Sequence, residues 1–255
     1  MHLHALVINV DTGPVTALAL LSLQRHCSFP ITLVDCSTRA AEQTYALQLA
    51  DHLGVDFEQR PLKPHGQTLD DLFLQSDAQC ILIMDSDAEL LSDEVVVKMR
   101  AGICEKGVFA AGFCSEDQAL DAVKVPNALY AARMWIPLCL FKVLPVRKAI
   151  QNGTSFIHQE IYNDLPRYPR LSKWLFARHR LPIVKLLKLQ FLDRYRKPYG
   201  LSKPSFINYD TGALLYSYLL QQGYSFHQLD WSLQQRSVAH YHGVTRNRLN
   251  WFDNN

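Results

Sequence analysis

Short apolar runs alternate with helical patterns through the first part of this chain, and this alternation restricts the possible folds most strongly. Strand-like runs lie at residues 3–10, 31–35, 55–59 and 80–84, and helical spacing fills the intervals between them. Strands that alternate with helices form mostly parallel sheets, because each helix returns the chain to the start of the next strand. The sequence therefore predicts an α/β fold with a mixed, mostly parallel sheet flanked by helices.

Local signals mark the ends of these helices. Thr38 and Ser92 are predicted N-caps, since each precedes a helical run. Thr68 and Asp71 have the spacing of a weak capping box for a short helix. Gly54 is predicted to stop the second helix.

Length and composition are those of a globular chain. The 255 residues contain no repeat, low-complexity tract or Gly/Ser linker, so we predict a single domain over residues 1–255. Hydrophobic residues make up 48% and charged residues 20%, which excludes a disordered or coiled-coil chain. The sequence contains no run of about 18 uncharged apolar residues, so it predicts no membrane-spanning helix. The six cysteines form no C-x-x-C pair, and reduced, buried thiols would fit a cytoplasmic protein.

Positive charge is concentrated in one insertion of the second half, which also carries helical patterns. Residues 166–198 contain ten Lys or Arg and one acid, a charge of +9 against −7 for the rest of the chain. This split indicates one local basic face and argues against a nucleic-acid partner. The insertion is also rich in Leu and aromatic residues. Two interpretations stay open, a peripheral contact with the inner face of a membrane and a helical cover over an acceptor groove.

The triplet Asp85-Ser86-Asp87 is the sharpest chemical signal. It directly follows the apolar run at residues 80–84, and open α/β sheets bind ligands at the carboxyl ends of their parallel strands. Two converging carboxylates there can hold a hard divalent cation that completes its shell with phosphate oxygens. The alternative is a polar strand end followed by helix-capping acids, since short acidic triplets are common. The position of the triplet favours the metal site.

The order of these segments resembles that of the nucleotide-diphospho-sugar glycosyltransferases of the GT-A fold. In that family a first strand and helix precede a strand that ends in an Asp-x-x-Ser-like turn, and a later apolar strand ends in D-x-D. The corresponding segments here are residues 7–11, 33–38 and 81–87. The resemblance covers residues 3–115 and resumes at 208–247. It implies a GT-A-like, Rossmann-like domain.

The resemblance implies that the chain has two functional halves, and it indicates which residues would bind the sugar donor. It implies a nucleotide-sugar-binding half at residues 1–105, an acceptor-binding half at residues 106–255, and a Mn2+ or Mg2+ cofactor. Asp35 would accept a hydrogen bond from the base, although it also suits a turn-forming Asx residue. Asp85 and Asp87 would ligate the metal. The donor-binding side chains it implies are Asp11, Thr12, Asp35, Asp85, Ser86 and Arg246.

Two later segments resemble the acceptor and metal-closing parts of the family. Asp210 precedes a Leu-rich run, and the resemblance implies that it is the general base of an inverting transfer. Alternatively it is only an N-cap, worth about 1 kcal/mol. His240 and His242 lie on the same side of a predicted strand, so spacing does not decide which would complete the metal site. Arg246 would neutralise pyrophosphate charge. The alternative is that both histidines are ordinary surface residues.

The sequence thus predicts a glycosyltransferase. By the resemblance, it would transfer a sugar from a UDP-sugar to a hydroxyl of a glycan or lipid-linked acceptor in cell-surface polysaccharide synthesis. Rival classes are a catalytically inactive transferase-like subunit that binds a membrane or partner, a haloacid-dehalogenase-type phosphatase, a sugar nucleotidylyltransferase and an aspartic protease. Glu89 stands where the phosphatases have Thr or Val, and the Gly-rich, basic start of a nucleotidylyltransferase is lacking. Both D-T-G triplets precede helix-forming runs, unlike those of aspartic proteases.

Overall fold

The computed structural model describes residues 2–115, 128–163 and 205–241. The strands, in chain order, are β1 (Leu3–Asn9), β2 (Ile31–Asp35), β3 (Asp56–Gln59), β4 (Cys80–Asp85), β5 (Ala88–Leu90), β6 (Val108–Ser115), β7 (Ala128–Tyr130), β8 (Arg133–Lys142), β9 (Gln159–Asn163), β10 (Ser205–Tyr209), β11 (Ser225–Gln228) and β12 (Val238–His240). The helices are α1 (Gly13–His26), α2 (Ala40–Leu53), α3 (His65–Gln75), α4 (Glu94–Ile103), α5 (Val143–Gln151), α6 (Ala213–Gln221) and α7 (Trp231–Ser237). The basic segment at 166–198 lies outside the described residues.

The main sheet has seven strands in the order β11-β6-β8-β4-β1-β2-β3. Four of its neighbouring pairs are parallel, and the two pairs that include β8 are antiparallel. The predicted mixed, mostly parallel sheet is therefore confirmed. Because β1 lies between β2 and β4, the chain order reverses at the carboxyl ends of β1 and β4. Open α/β sheets bind ligands at such a switch point.

Two cores cover the faces of this sheet. Leu82 and Met84 of β4 pack in one core with α1, α2 and α4, whereas Ile81 and Ile83 pack in the other with α3, α5 and α6. Burial on both faces is typical of central strands in parallel sheets. The alternation along β4 continues to its last residue, so Asp85 lies on the same side of the sheet as α3.

Besides the main sheet, the described residues form two smaller sheets. Strand β10 lies between β7 and β9 in a three-stranded sheet. Strands β5 and β12 form an antiparallel ribbon in which Ala88 is opposite His240. Because β5 starts directly after Asp87, this ribbon brings the end of the described chain to the D-x-D triplet.

The sequence signals located the helices better than their caps. Gly54 ends α2 in the left-handed conformation, as predicted. The N-caps predicted at Thr38 and Ser92 are wrong, because the next residue occupies that position in both α2 and α4. Thr68 lies inside α3 and not at its start. The Thr38 hydroxyl instead donates a hydrogen bond to Asp11, which joins two loops.

Most of the thiols are buried, as expected. All six cysteines are free, and four of them are buried. Burial raises the pKa of Cys27 to about 12 and that of Cys36 to about 11, so both stay protonated at neutral pH. Within the described ranges, no helix has the length and apolar character needed to cross a membrane.

Gly66 lies where α3 touches the segment before β9, and a side chain does not fit there. A Cβ atom would lie 2.5 Å from the carbonyl carbon and oxygen of Phe156. Gly66→Ala should lower the free energy of unfolding by about 1–3 kcal/mol, the usual cost of overpacking, measured by denaturant titration. Gly112→Ala is the control, because the atom nearest to its added Cβ, Cys139 Sγ, would be 3.3 Å away. A Gly66 variant as stable as wild type would contradict this packing.

Candidate functional site

Asp85, Asp87 and His240 meet at the carboxyl end of β4. Ligand atoms from the three side chains all lie within 4.8 Å of one another, and His240 Nε2 is 3.2 Å from Asp87 Oδ1. Both predicted carboxylates and one of the two predicted imidazoles are therefore in one cluster. His242 lies outside the described residues.

The spacing of the cluster suits a divalent cation. With ligand bonds of about 2.1 Å, adjacent ligands of an octahedral ion lie about 3.0 Å apart and opposite ligands about 4.2 Å apart. The distance of 3.2 Å between Asp87 Oδ1 and His240 Nε2 fits an adjacent pair. The 4.8 Å limit on the whole cluster admits the remaining ligand. Two carboxylates and an imidazole can bind Mn2+ or Mg2+ and leave coordination positions for phosphate oxygens.

The electrostatics of Asp85 also favour a cation. Burial raises the pKa of the Asp85 carboxyl; the imidazole of His65 opposes this shift, and the charge of Asp87 adds to it. Asp87 is itself buried. Two neighbouring carboxylates, one buried and one partly buried, are costly when both are ionised, and a bound divalent cation would offset that cost.

His240 is held in place by the β5–β12 ribbon and by packing. The backbone N–H of Tyr241 donates to the carbonyl oxygen of Asp87 at 2.8 Å, directly beside the pairing of Ala88 with His240. The ring of Trp135 stands edge-on to the imidazole, with the centroids 5.4 Å apart. These contacts fix the imidazole beside Asp87.

A buried polar network joins the ends of β1, β2 and β4. The Asn9 amide donates to Asp35 Oδ1 at 2.7 Å, and its carbonyl oxygen accepts from the hydroxyls of Thr12 and Thr16. Thr12 Oγ1 lies 2.9 Å from Ser86 Oγ, across the switch point. Thr12 and Ser86 therefore support the turn beside the two clustered carboxylates. Asn9 was not predicted, although a polar residue ending an apolar strand was a usable signal.

Asp35 is fully buried, yet only one of its carboxylate oxygens is hydrogen-bonded. Oδ1 accepts from Asn9 and from the hydroxyl of Ser37 at 2.6 Å, whereas Oδ2 has no hydrogen-bond partner within the described ranges. The bond to Ser37 is the local contact of a turn-forming Asx residue. A buried carboxylate oxygen that lacks a donor is costly. This atom could therefore accept a ligand N–H, provided that the side chains covering it move, because it is not exposed to solvent.

The carboxylate of Asp11 forms hydrogen bonds that link two loops. Its carboxylate accepts from the backbone N–H and hydroxyl of Thr38 and from the backbone N–H of Arg39. Its φ of +52° is in the left-handed region, which Asp tolerates better than most residues. Asp11 thus ties the loop after β1 to the loop after β2. Its direct contact with a nucleotide stays a prediction.

Asp210 follows β10 and is paired with an arginine. Asp210 Oδ2 lies 2.7 Å from Arg133 Nη1, and Oδ1 accepts from the backbone N–H of Thr211. The N-cap of α6 is Gly212, which has no side chain that could cap the helix. The interpretation of Asp210 as an N-cap is therefore wrong. The base role stays a prediction, with Arg133 added as a partner that the sequence did not indicate. Arg246 lies outside the described residues.

Comparisons with known proteins bear on the fold alone. No protein-family profile and no curated protein sequence matches the chain. Similar solved structures include GT-A glycosyltransferases. The mannosyltransferase PcManGT from Pyrobaculum calidifontis, in complex with GDP-Man and Mn2+, is 12% identical with a TM-score of 0.45, over 60% of this chain and 46% of that chain. S. aureus TarS residues 1–349, in complex with UDP-GlcNAc, is 16% identical with a TM-score of 0.41, over 62% and 49%.

A similar structure also comes from outside the glycosyltransferases. The 4-diphosphocytidyl-2C-methyl-D-erythritol synthase of Anaerococcus prevotii is 10% identical with a TM-score of 0.44, over 59% of this chain and 74% of that one. The matched region spans less than half of PcManGT and of the TarS fragment.

Proposed function

We propose that this protein is a metal-dependent glycosyltransferase that moves a sugar from a nucleoside diphosphate to an acceptor hydroxyl. The observation that carries the proposal is the cluster of Asp85, Asp87 and His240 at the carboxyl end of the central strands. The buried carboxylate of Asp35, with one oxygen that has no hydrogen-bond partner among the described residues, lies at the same edge of the sheet. The cluster can hold a cation, and the Asp35 carboxylate can accept a hydrogen bond from an N–H group. A nucleoside diphosphate needs both, since its base offers donors and its phosphates carry dense negative charge.

Asp35 favours a uridine donor over a cytidine donor. Uracil presents an N–H at ring position 3, which could donate to the unpartnered Oδ2, whereas cytosine presents a lone pair there. A carboxylate buried in this position would attract the first base and repel the second. We therefore propose a UDP-sugar as the donor. The single domain would bind it with residues 1–105.

The cluster would hold Mn2+ or Mg2+, which when bound supplies positive charge to the diphosphate. Thr12 and Ser86 support the cluster's loop, and Asp11 holds the neighbouring loops together. In the proposed transfer the acceptor oxygen bonds to the anomeric carbon as the bond from that carbon to the phosphate oxygen breaks. The acceptor proton passes to Asp210, and the electron pair leaves with UDP. Inversion follows from a single displacement of this kind.

The remaining assignments belong to the acceptor half, residues 106–255. We propose a glycan or lipid-linked acceptor in cell-surface polysaccharide synthesis, with the basic segment at 166–198 in contact with the inner membrane face or over the acceptor. His242 and Arg246 keep the roles predicted from the sequence.

Replacing Asp35 should change the preferred base. Asp35→Asn keeps the size and the Oδ1 contacts but can turn an N–H toward the ligand. We expect UDP affinity to fall about tenfold or more, the worth of a hydrogen bond to a charged group, while CDP affinity rises. Calorimetric titration of wild type and variant with UDP and CDP, both with Mn2+, measures this. Unchanged UDP affinity in the variant would remove Asp35 from the base site.

Catalysis itself separates the proposed enzyme from its rivals. UDP release from a panel of UDP-sugars, with and without Mn2+, should be metal-dependent and should increase with acceptor. An inactive subunit would bind the donor and release nothing. A phosphatase would release inorganic phosphate from phosphomonoesters, and a nucleotidylyltransferase would form pyrophosphate from UTP and a sugar phosphate.

A further inference from the structure

A second imidazole approaches the candidate metal cluster from the opposite core. His65, the first residue of α3, places its Nε2 3.8 Å from Asp85 Oδ1. This nitrogen is buried and makes no hydrogen bond to any described residue. Neither the strand-end pattern nor the histidine segment near residue 240 pointed to it.

The backbone of His65 is held firmly in this position. Gly66 packs directly against the backbone of Phe156 and Ile157. One turn further along α3, Asp70 accepts from the Phe156 N–H at 2.9 Å and also from the Ser155 hydroxyl. The helix start therefore cannot slide along the segment before β9, and only the imidazole itself is free to turn.

Asp85 lies between this imidazole and the rest of the cluster. The alternation of β4 points its side chain toward α3, as for Ile81 and Ile83, and its carboxylate also reaches Asp87 and His240. A carboxylate has two oxygens, so one can bind a cation while the other accepts an N–H. Partners of this kind orient metal ligands and are worth 10- to 100-fold in metal affinity.

We propose that His65 is a positioning residue: its Nε2–H donates a hydrogen bond to Asp85 Oδ1 and holds this carboxylate toward the divalent cation. The distance of 3.8 Å is longer than a hydrogen bond and must shorten by about 0.8 Å, which a turn of the imidazole toward Asp85 would supply. This role rests on the proposed function, because it serves the metal site that the function requires.

Three variants test this role by Mn2+ binding, measured by calorimetry in the presence of UDP. His65→Phe keeps a ring without a donor and should weaken Mn2+ affinity about 10- to 100-fold. His65→Gln retains an N–H donor and should recover most of the affinity. His52→Phe, at an exposed position in α2, is the matched control and should bind as wild type does. Melting temperatures confirm that all three are folded.

The outcomes separate this role from the proposed function. If His65→Phe binds Mn2+ like wild type, or if His65→Gln is as weak as His65→Phe, the hydrogen bond is not needed and the positioning role is overturned. The metal site would still stand where wild type binds Mn2+ and Asp87→Asn does not. A wild-type protein without Mn2+ affinity would overturn the metal site and the role of His65 together.

Discussion

Asp87→Asn is expected to abolish Mn2+-dependent UDP binding in a protein that stays folded. Asp87 Oδ1 is 3.2 Å from His240 Nε2 and contributes one of two negative charges to the cluster. The amide has nearly the same shape but no charge, so a divalent cation loses half of the anionic charge that holds it. Because even the outer partners of metal ligands are worth 10- to 100-fold, we expect at least about a hundredfold loss of affinity. Calorimetric titration with UDP and Mn2+ measures it.

The matched control for this variant lies near the other end of the same strand. Asp77 is exposed and precedes the start of β4, so Asp77→Asn makes the same change in charge far from the cluster. It should bind UDP and Mn2+ as wild type does. The backbone contact of Asp87, from the Tyr241 N–H to its carbonyl oxygen, is kept in Asp87→Asn, and the melting temperature should change little. An Asp87→Asn protein that binds like wild type would show that the cluster holds no functional metal.

Asp210→Asn should lower sugar transfer by about a hundredfold or more, the usual contribution of a positioned base. The amide oxygen can still accept a hydrogen bond from Thr211 or Arg133, so the local structure should persist. Donor binding involves neither the acceptor nor its proton and should be unchanged. The measurement is acceptor-dependent UDP release, with UDP affinity determined in parallel on the same protein.

Arg133 provides the control that separates a base from an anchor. Its guanidinium holds Asp210 Oδ2 at 2.7 Å, and a base must free this oxygen or use the other one. Arg133→Gln removes the competing cation and should keep most of the transfer activity. If Arg133→Gln loses as much activity as Asp210→Asn, the pair acts only as a structural link. Undiminished transfer in Asp210→Asn would reject the base role directly.

Local patterns predicted the central strands well because each is short, apolar and buried on both faces. The run that ends at Asp85 and the strand that ends at Asp35 lie where the sequence indicated. The two strands flank β1 in parallel register, so their carboxyl ends meet at one edge. Strand polarity alone was therefore enough to predict that these strand ends meet at one edge, and a ligand site at that edge stays a prediction.

The same local patterns could not predict contacts between distant segments of the chain. The β5–β12 ribbon pairs Ala88 with His240, and strands of only three residues carry little periodic signal. His65 was missed because it starts α3 ahead of the predicted capping box at Thr68. The Thr38 cap failed for a related reason, since Asp11 captures that hydroxyl from another loop. In each case a tertiary contact decided the outcome.

The most direct test of the account is to locate the cation. Crystals grown with UDP and Mn2+ would be measured at the manganese absorption edge, where anomalous scattering identifies the ion. We predict one peak within about 2.5 Å of ligand atoms of Asp87 and His240, the range of carboxylate bonds to divalent cations, with the diphosphate of UDP bound to the same ion. UDP bound in this crevice without manganese, or manganese bound elsewhere, would contradict the central claim.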